Sequence, residues 1–317
     1  MKPKVLITRP MTAPVEAEAQ AAFDVTIRAS TQPCSADEMK EALLNFDGVL
    51  PTLGDMFSAD IFKATPNPRA KVLANFGVGY NHIDVDAARG AGLAVSNTPG
   101  AVTDATADIA MTLILTSARR ASEGERLVRS GNWQGWHPTQ MLGLHVSGKT
   151  VGIIGMGRIG QAIARRCVNG FGMKAVFFNR SPKDVDFPAR QVGSIAELAA
   201  MSDIVVAAVP GGANTHHLID EHVFAAMQPH ARFINISRGD VVDEAALVAA
   251  LEAGQIGGAG LDVYEFEPKV SKGLFRDDVV LLPHLGTAAE DVRTDMGRMA
   301  LANLKAFFDG QSLPNAV

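Results

Sequence analysis

An α/β protein with two doubly wound parallel sheets is the fold class this sequence predicts, and three observations predict it. The chain has 317 residues, more than a single hydrophobic core usually serves, so two domains are expected. Short runs of consecutive apolar residues alternate with helical patterns, as strands do when helical crossovers cover both faces of their sheet. A glycine-rich turn, GMGRIG at 155–160, joins one such strand to one such helix halfway along the chain.

The first hundred residues supply the strands KVLIT (4–8), DGVLP (47–51), KVLANF (71–76) and LAVSN (93–97), with helical segments such as SADEMKEALLNF between them. They predict a small doubly wound domain. After Pro99-Gly100, the stretch from Thr103 to about Arg129 reads as one long helix with Thr103 or Asp104 near its N-cap, long enough to bridge two domains. An irregular stretch, GNWQGWHPTQMLGLHVSGK, then carries both tryptophans. From Thr150 six further strands alternate with helices: TVGIIG, KAVFFN, DIVVAAVP, ARFINIS, GAGLDV and VVLLPH. Six strands with helical crossovers make a nucleotide-binding domain. The closing helix, TAAEDVRTDMGRMALANLKAFFDG, is expected to return to the first domain and complete it.

Composition narrows the class of function. An apolar content of 47% with 20% charged residues describes an ordinary soluble globular protein. No apolar run approaches the ~18 residues of a spanning helix. The formal charge of −5 offers no general attraction to phosphate backbones or anionic lipid, so neither nucleic acid nor a membrane is an expected partner. MKPKVLITRP begins on a strand where a secretory signal would need a longer apolar stretch. Cys34 and Cys167 lack metal-ligand spacing and are too few for a disulfide scaffold. They are expected to be small buried side chains in a cytoplasmic protein without a metal site.

The glycine turn has a specific chemistry in its strand-turn-helix setting. Gly155 permits the tight turn, Gly157 lets a pyrophosphate approach the backbone, and Gly160 lets helix and strand pack closely. The helix start, with Arg158 and Ile159, then offers unpaired amides and a positive dipole end to the phosphates. Nineteen positions after Gly160, where an acidic residue would hold the ribose of NAD, stands Asn179, with Arg180 beside it. A neutral residue does not repel a 2′-phosphate and an arginine can pair with one, so NADP(H) is favoured, with NAD(H) also accommodated.

Three later residues fall where parallel strands should end: Arg238 in NISRGD, Glu267 in YEFEPK and His284 in LLPHLGT. That edge is where open α/β sheets bind ligands. Together the three suit reduction of a carbonyl. The arginine binds a carboxylate and polarises the carbonyl, the histidine delivers a proton as hydride arrives, and the glutamate fixes the imidazole tautomer and favours its cation.

With these residues in view, the sequence resembles the D-isomer-specific 2-hydroxyacid dehydrogenase family over essentially its whole length. NFGVGYNHID, NTPGAVTDATADIA, VGIIGMGRIGQAIARR, INISRGDVVDEAALVAAL, AGLDVYEFEP and LLPHLGT carry the likeness. NRSP and GNWQGWHP are most similar to the glyoxylate and hydroxypyruvate reductases. The resemblance implies a Rossmann coenzyme domain, residues 100–286, inserted in a flavodoxin-like substrate domain, residues 1–99 and 287–317. It makes Arg238, Glu267 and His284 the catalytic trio and has the amides of Val78 and Gly79 grip the substrate carboxylate, with Leu53 also assigned to the substrate. It sets Thr106 near the nicotinamide, Val209, Pro210 and Thr215 along the cofactor, and Asp262 at the carboxamide, with Ser181, Ile236, Ser237 and Gly286 in the same site. The tryptophan segment becomes a dimerisation arm, Trp136 reaching the substrate pocket of the other subunit in a homodimer.

Two departures stand out. Asn81, in a position that supports the substrate loop, replaces the Asp of many members, and the stretch Pro268 to Leu274 is short and contains glycine. The implied activity is NADP(H)-preferring reduction of small 2-oxo acids, glyoxylate and hydroxypyruvate, to 2-hydroxy acids. The alternatives are D-lactate, 3-phosphoglycerate or formate dehydrogenases and, from another class, a dinucleotide-sensing corepressor built on the same fold. The substrate-loop match argues against the last.

Overall fold

Two sheets, each with every pairing parallel, organise the chain in a computed structural model that describes all 317 residues. The chain divides into Met1–Val102 with Thr287–Val317, and Thr103–Gly286. The division falls where a helix begins at Thr103, not at the expected 99/100.

The first unit runs β1 (Lys4–Ile7), α1 (Ala13–Ala22), β2 (Asp24–Ile27), α2 (Ala36–Asn45), β3 (Gly48–Leu50), α3 (Ala59–Ala64), β4 (Val72–Ala74), α4 (Val85–Gly90) and β5 (Ala94–Ser96). Its sheet has the order β2-β1-β3-β4-β5 of flavodoxin-like folds. Successive side chains of a strand point to opposite faces, and here both faces are dry. Val5, Ile7, Val72 and Ala74 pack with Val15 and Ala19 of α1 on one side. Leu6 and Leu73 pack with Met39 and Leu43 of α2 and with Ile61 and Phe62 of α3 on the other. A Ser35–Glu38 capping box fixes the start of α2, a device worth about 1 kcal/mol.

The second unit runs α5 (Thr103–Ala118), α6 (Ala121–Arg129), β6 (Thr150–Ile154), α7 (Arg158–Phe171), β7 (Lys174–Phe178), β8 (Ala189–Gln191), α8 (Ile195–Met201), β9 (Ile204–Ala207), α9 (Glu221–Ala226), β10 (Arg232–Asn235), α10 (Glu244–Glu252), β11 (Gly258–Leu261) and β12 (Val279–Leu281). Its order, β12-β11-β10-β9-β6-β7-β8, is the dinucleotide-binding pattern with one further strand at an edge. Val151, Ile153, Ile204 and Val206 pack with α5 and α7, while Ile154, Val205, Ala207 and Phe233 face α8, α9 and α10. The last helix, α11 (Glu290–Phe308), belongs to the first unit, where Ala300, Leu301 and Leu304 join the core on the α1 side.

The structure corrects the sequence reading in two places. The long helix expected over Thr103–Arg129 is two helices, broken at Arg120, whose backbone is left-handed (φ 52°) and whose guanidinium grips Glu123 at 2.6 and 2.7 Å. Burial explains the break: α5 buries Leu113, Ile114 and Ala118, whereas no residue of α6 is buried. Two strands, β2 and β8, were not among those expected. Both are sheet edges whose residues are all at least partly exposed, so they lack the apolar runs that marked the others. Cys34 and Cys167 are buried free thiols, and burial pushes them up to about 11 and about 12. No helix is long and apolar enough to cross a membrane.

Candidate active site

In the second unit the strand order reverses between β6 and β9, and a ligand crevice forms at the carboxyl ends of strands at such a point. Because the sheet is parallel, β6, β7, β9, β10, β11 and β12 deliver their following residues to that same edge. The turn after β6 bends at Gly155 (φ 99°) and enters α7 at Gly157, which caps the helix without a side-chain hydrogen bond. The first-turn amides of α7 are therefore not taken by a cap. A Cβ on Gly160 would stand 2.1 Å from the Gly155 carbonyl oxygen, whereas one on Gly157 would meet nothing within 4 Å. The turn is thus closed against its own strand and open outward, a cradle that fits a pyrophosphate.

Asn179 follows β7 and its side chain reaches the turn, Oδ1 accepting the Met156 N–H at 3.3 Å while Nδ2 donates to the Ser181 carbonyl at 3.0 Å. Arg180 and Ser181 are exposed beside it. Val209 and Pro210 follow β9, and the Thr215 hydroxyl closes their loop by donating to the carbonyls of Pro210 (2.8 Å) and Gly212 (3.0 Å).

Arg238, Glu267 and His284 come from the ends of β10, β11 and β12. Glu267 Oε2 is hydrogen-bonded to His284 Nδ1 at 3.0 Å, and its Oε1 accepts the Tyr264 N–H at 3.0 Å. Burial pushes the Glu267 carboxyl up, but the bond and charge of His284, the Tyr264 amide and the charge of Arg238 outweigh it and hold the group below its ordinary range. Arg238 is half-buried, and burial draws its guanidinium down against the pull of Glu267 and Asp240. Its Nη1 donates to the Ser237 carbonyl at 2.7 Å, while its buried Nε has no partner within the chain. A buried donor left unpaired is costly unless a ligand meets it.

His284 has a left-handed backbone (φ 55°), a strained state for a residue of this type. Asp262 holds it there. The Asp262 carbonyl accepts the His284 N–H at 2.9 Å, and its buried carboxylate accepts the amides of Leu285 (2.6 Å) and Gly286 (2.8 Å). Thr106, near the start of α5, donates to the Gly286 carbonyl at 3.2 Å. Ile236 and Ser237 are buried in the turn after β10, which Asn235 shapes by accepting the Ser237 amide and hydroxyl and donating to the Arg238 carbonyl.

In the first unit the loop after β4 has its own geometry. Asn75 Nδ2 donates to the carbonyls of Gly77 and Gly79 (3.1 Å each), Asn97 Nδ2 to that of Val78 (2.8 Å), and Thr98 Oγ1 accepts the Gly77 N–H (3.1 Å). The carbonyls of Val78 and Gly79 are thereby held, while their N–H groups donate to nothing in the chain. Asn81, expected to support this loop, is exposed at its far end, and Asn75 and Asn97 do that work instead. Leu53 lies half-exposed in a turn braced by the fully buried Asp55, which accepts the Thr52 N–H at 2.9 Å. Trp133 and Trp136 are exposed, the latter at 79%. The sequence reading missed Asn75, Asn97, Asn235 and Tyr264. A polar residue closing an apolar strand, as in VLAN, AVSN and RFIN, was the available signal.

Comparison with known proteins shows the family. Residues 111–286 match the model of the D-isomer specific 2-hydroxyacid dehydrogenase NAD binding domain. The whole chain is 42% identical to a glyoxylate reductase of Thermococcus onnurineus, covering 96% of it. Among solved structures, a protein of Thermus thermophilus superimposes with a TM-score of 0.91 at 36% identity, over 99% of both chains. An NADPH-dependent glyoxylate/hydroxypyruvate reductase of Sinorhizobium meliloti, solved with NADP and malonate, superimposes at 0.87 with 34% identity, over 100% of this chain and 97% of that one. The chain belongs to the D-isomer specific 2-hydroxyacid dehydrogenase family. It is an NAD(P)-dependent 2-hydroxyacid dehydrogenase whose second unit contains the family's dinucleotide-binding domain.

Proposed function

We propose that this enzyme reduces small 2-oxo acids, glyoxylate and hydroxypyruvate, to their 2-hydroxy acids with NADPH as the preferred reductant. The observation that carries this reading is the Glu267–His284 hydrogen bond at the same sheet edge as Arg238, whose buried Nε is unpaired. The reduced dinucleotide, when bound, supplies the hydride. The chain's own residues do the rest. Arg238 binds the substrate and stabilises the charge that develops on the carbonyl oxygen. His284 gives that oxygen its proton from Nε2, because Glu267 engages Nδ1. Glu267 stays ionised and favours the charged imidazole that must donate. The amides of Val78 and Gly79 are donors for the substrate carboxylate.

For the dinucleotide, the turn at Gly155–Gly160 and the first-turn amides of α7 receive the pyrophosphate. Asn179 and Ser181 line the ribose, and Arg180 pairs with the 2′-phosphate. Thr106, Asp262 and Gly286 lie toward the nicotinamide, with Val209, Pro210, Thr215, Ile236 and Ser237 along the cofactor. The enzyme works as a homodimer in the cytoplasm, the exposed Trp133 and Trp136 covered by the second copy and Trp136 forming a wall of its substrate pocket. The test is a panel of 2-oxo acids assayed with NADPH and with NADH. Highest kcat/KM for glyoxylate or hydroxypyruvate with NADPH is expected. Dinucleotide binding without turnover of any acid would replace the reductase by a sensing protein, and an active monomer in light scattering would remove the dimer.

A further inference from the structure

Three carboxylates of the chain are buried: Asp55, Glu244 and Asp262. Asp262 holds the His284 turn and Asp55 a loop of the first unit, as described. Glu244 opens α10 and spends its hydrogen bonds on a different segment, the loop between β11 and β12. Its Oε2 accepts the Glu265 N–H at 3.1 Å, and its Oε1 accepts both the Ser271 N–H at 3.3 Å and the Ser271 hydroxyl. Glu265 answers with Oε2, which accepts the Glu244 N–H at 3.1 Å. Glu267 lies between these two anchored residues.

The clamp extends further. Glu265 Oε1 is hydrogen-bonded to His217 Nε2 at 2.7 Å, and the His217 N–H donates to the Asp240 carbonyl at 2.8 Å, two residues beyond Arg238. Between them Gly239 is pressed on the same loop, since a Cβ there would stand 1.8 Å from the Tyr264 carbonyl oxygen. The Arg238 turn, the Glu267 loop and the end of the Thr215 loop are therefore one hydrogen-bonded block. His216, His217 and Glu265 also bring donor atoms within 4.8 Å of one another. Both Glu265 oxygens are already engaged, however, and the two imidazoles stack at 4.0 Å with 24° between their planes, so their in-plane lone pairs run side by side instead of converging. This trio belongs to the clamp.

We propose that Glu244 is a positioning residue: by holding residues 265 and 271 it sets Glu267 against His284 Nδ1, and through Glu265 and His217 it ties that pair to the Arg238 turn. The inference rests on the roles given above to Arg238, Glu267 and His284. An ionised carboxylate suits the task because it is acceptor-only at both oxygens. A glutamine cannot accept both the Glu265 and the Ser271 amides, since one arm of its amide is a donor.

The experiment measures kcat, KM and the pH profile of kcat/KM for glyoxylate reduction with NADPH in the full-length enzyme and in Glu244→Gln, Ser271→Ala and Glu267→Gln, together with Tm and the NADPH dissociation constant. Glu244→Gln should lower kcat about 10- to 100-fold, as a small misplacement of reacting groups does. Its KM and NADPH affinity should stay within about 2-fold, because Glu244 is not among the residues proposed to hold either ligand, and a uniform-binding loss would move KM instead. Its alkaline limb should move to lower pH in the same direction as that of Glu267→Gln. Ser271→Ala should do the same on a smaller scale, and it decides the matter if Glu244→Gln does not fold. A lowered Tm with native kcat and a native alkaline limb would reduce Glu244 to a structural residue and overturn the proposal. If Glu267→Gln moves the limb and neither clamp variant does, the positioning role fails while the proton relay stands. If Glu267→Gln leaves the limb in place, the relay fails and the proposal with it.

Discussion

The second unit carries two candidate sites of different construction on one sheet edge. The dinucleotide cradle is made of backbone, with glycines at 155, 157 and 160 and the open start of α7. The Arg238, Glu267 and His284 cluster is made of side chains: His284 has a left-handed backbone, Arg238 has a buried unpaired Nε, and Glu267 is held by His284 and the Tyr264 amide. A backbone site needs little beyond its own six residues. A side-chain site needs a supporting shell, here Asp262, Asn235, Tyr264 and Glu244, and it is exposed to damage anywhere in that shell.

The comparison is sharpened first by substitutions within the cluster, which should cost turnover and spare the dinucleotide. Arg238→Ala should have the largest effect, above about 10³-fold in kcat/KM, because it removes both substrate orientation and charge stabilisation. His284→Ala should follow, at about 10²- to 10⁴-fold, with NADPH affinity little changed. Glu267→Gln should cost less at neutral pH and more as pH rises. The Glu267 carboxyl is held below its ordinary range, so it is ionised throughout the neutral region and the amide removes a full negative charge from beside the imidazole there. With His284 as the proposed proton donor, reduction draws on the protonated imidazole, so its alkaline limb should shift to lower pH. A native alkaline limb in His284→Ala would mean that the proton comes from another group.

Gly160→Ala tests the other side of the comparison. Its methyl would lie 2.1 Å from the Gly155 carbonyl oxygen, so α7 must move away from the turn. Overpacking of this kind costs about 1–3 kcal/mol, and it should appear as a lower Tm and a weakened NADPH affinity in fluorescence titration. If kcat falls instead while dinucleotide affinity holds, the two sites are not separable in the way their construction suggests.

The same contrast explains what could be read from the sequence. GMGRIG was legible because its six positions are contiguous and its chemistry is in the backbone. The cluster was legible as three strand ends, since parallel topology sends all of them to one edge, but its support was not. Glu244 and Tyr264 act through contacts between residues 18 to 27 positions apart, and nothing in their local pattern records the partner. The helix break at Arg120 was hidden for a related reason: SARRASEGERLVR has no proline and no breaker at the break itself, and the end of burial at Ala118 stops α5. The edge strands β2 and β8 were lost because half-exposed strands carry no apolar run. Asn81 misled because resemblance transfers a position without its contacts, and here Asn75 and Asn97 hold the loop.

The smallest expected effect is on the choice between the two dinucleotides, and it lies where the backbone cradle depends on a side chain. Asn179 joins β7 to the glycine turn by accepting the Met156 N–H at 3.3 Å, a bond that an aspartate can also accept. The Asn179→Asp change therefore keeps the turn, loses the Nδ2 bond to the Ser181 carbonyl, and adds a negative charge beside a 2′-phosphate. Arg180→Ser removes the exposed guanidinium that would pair with that phosphate. Together they should lower the ratio of kcat/KM for NADPH over NADH by about 10-fold or more, roughly 1.4 kcal/mol, through the NADPH term. The turnover number with saturating NADH should change little, because neither residue approaches the cluster. Steady-state kinetics with both reductants at several ionic strengths separates the terms, since an exposed guanidinium–phosphate pair weakens with salt and the carboxylate's hydrogen bond to the ribose does so far less. A native enzyme that already prefers NADH would remove the role given to Arg180. A double variant that lost activity with both reductants equally would show that Asn179 serves the turn and not the choice of cofactor.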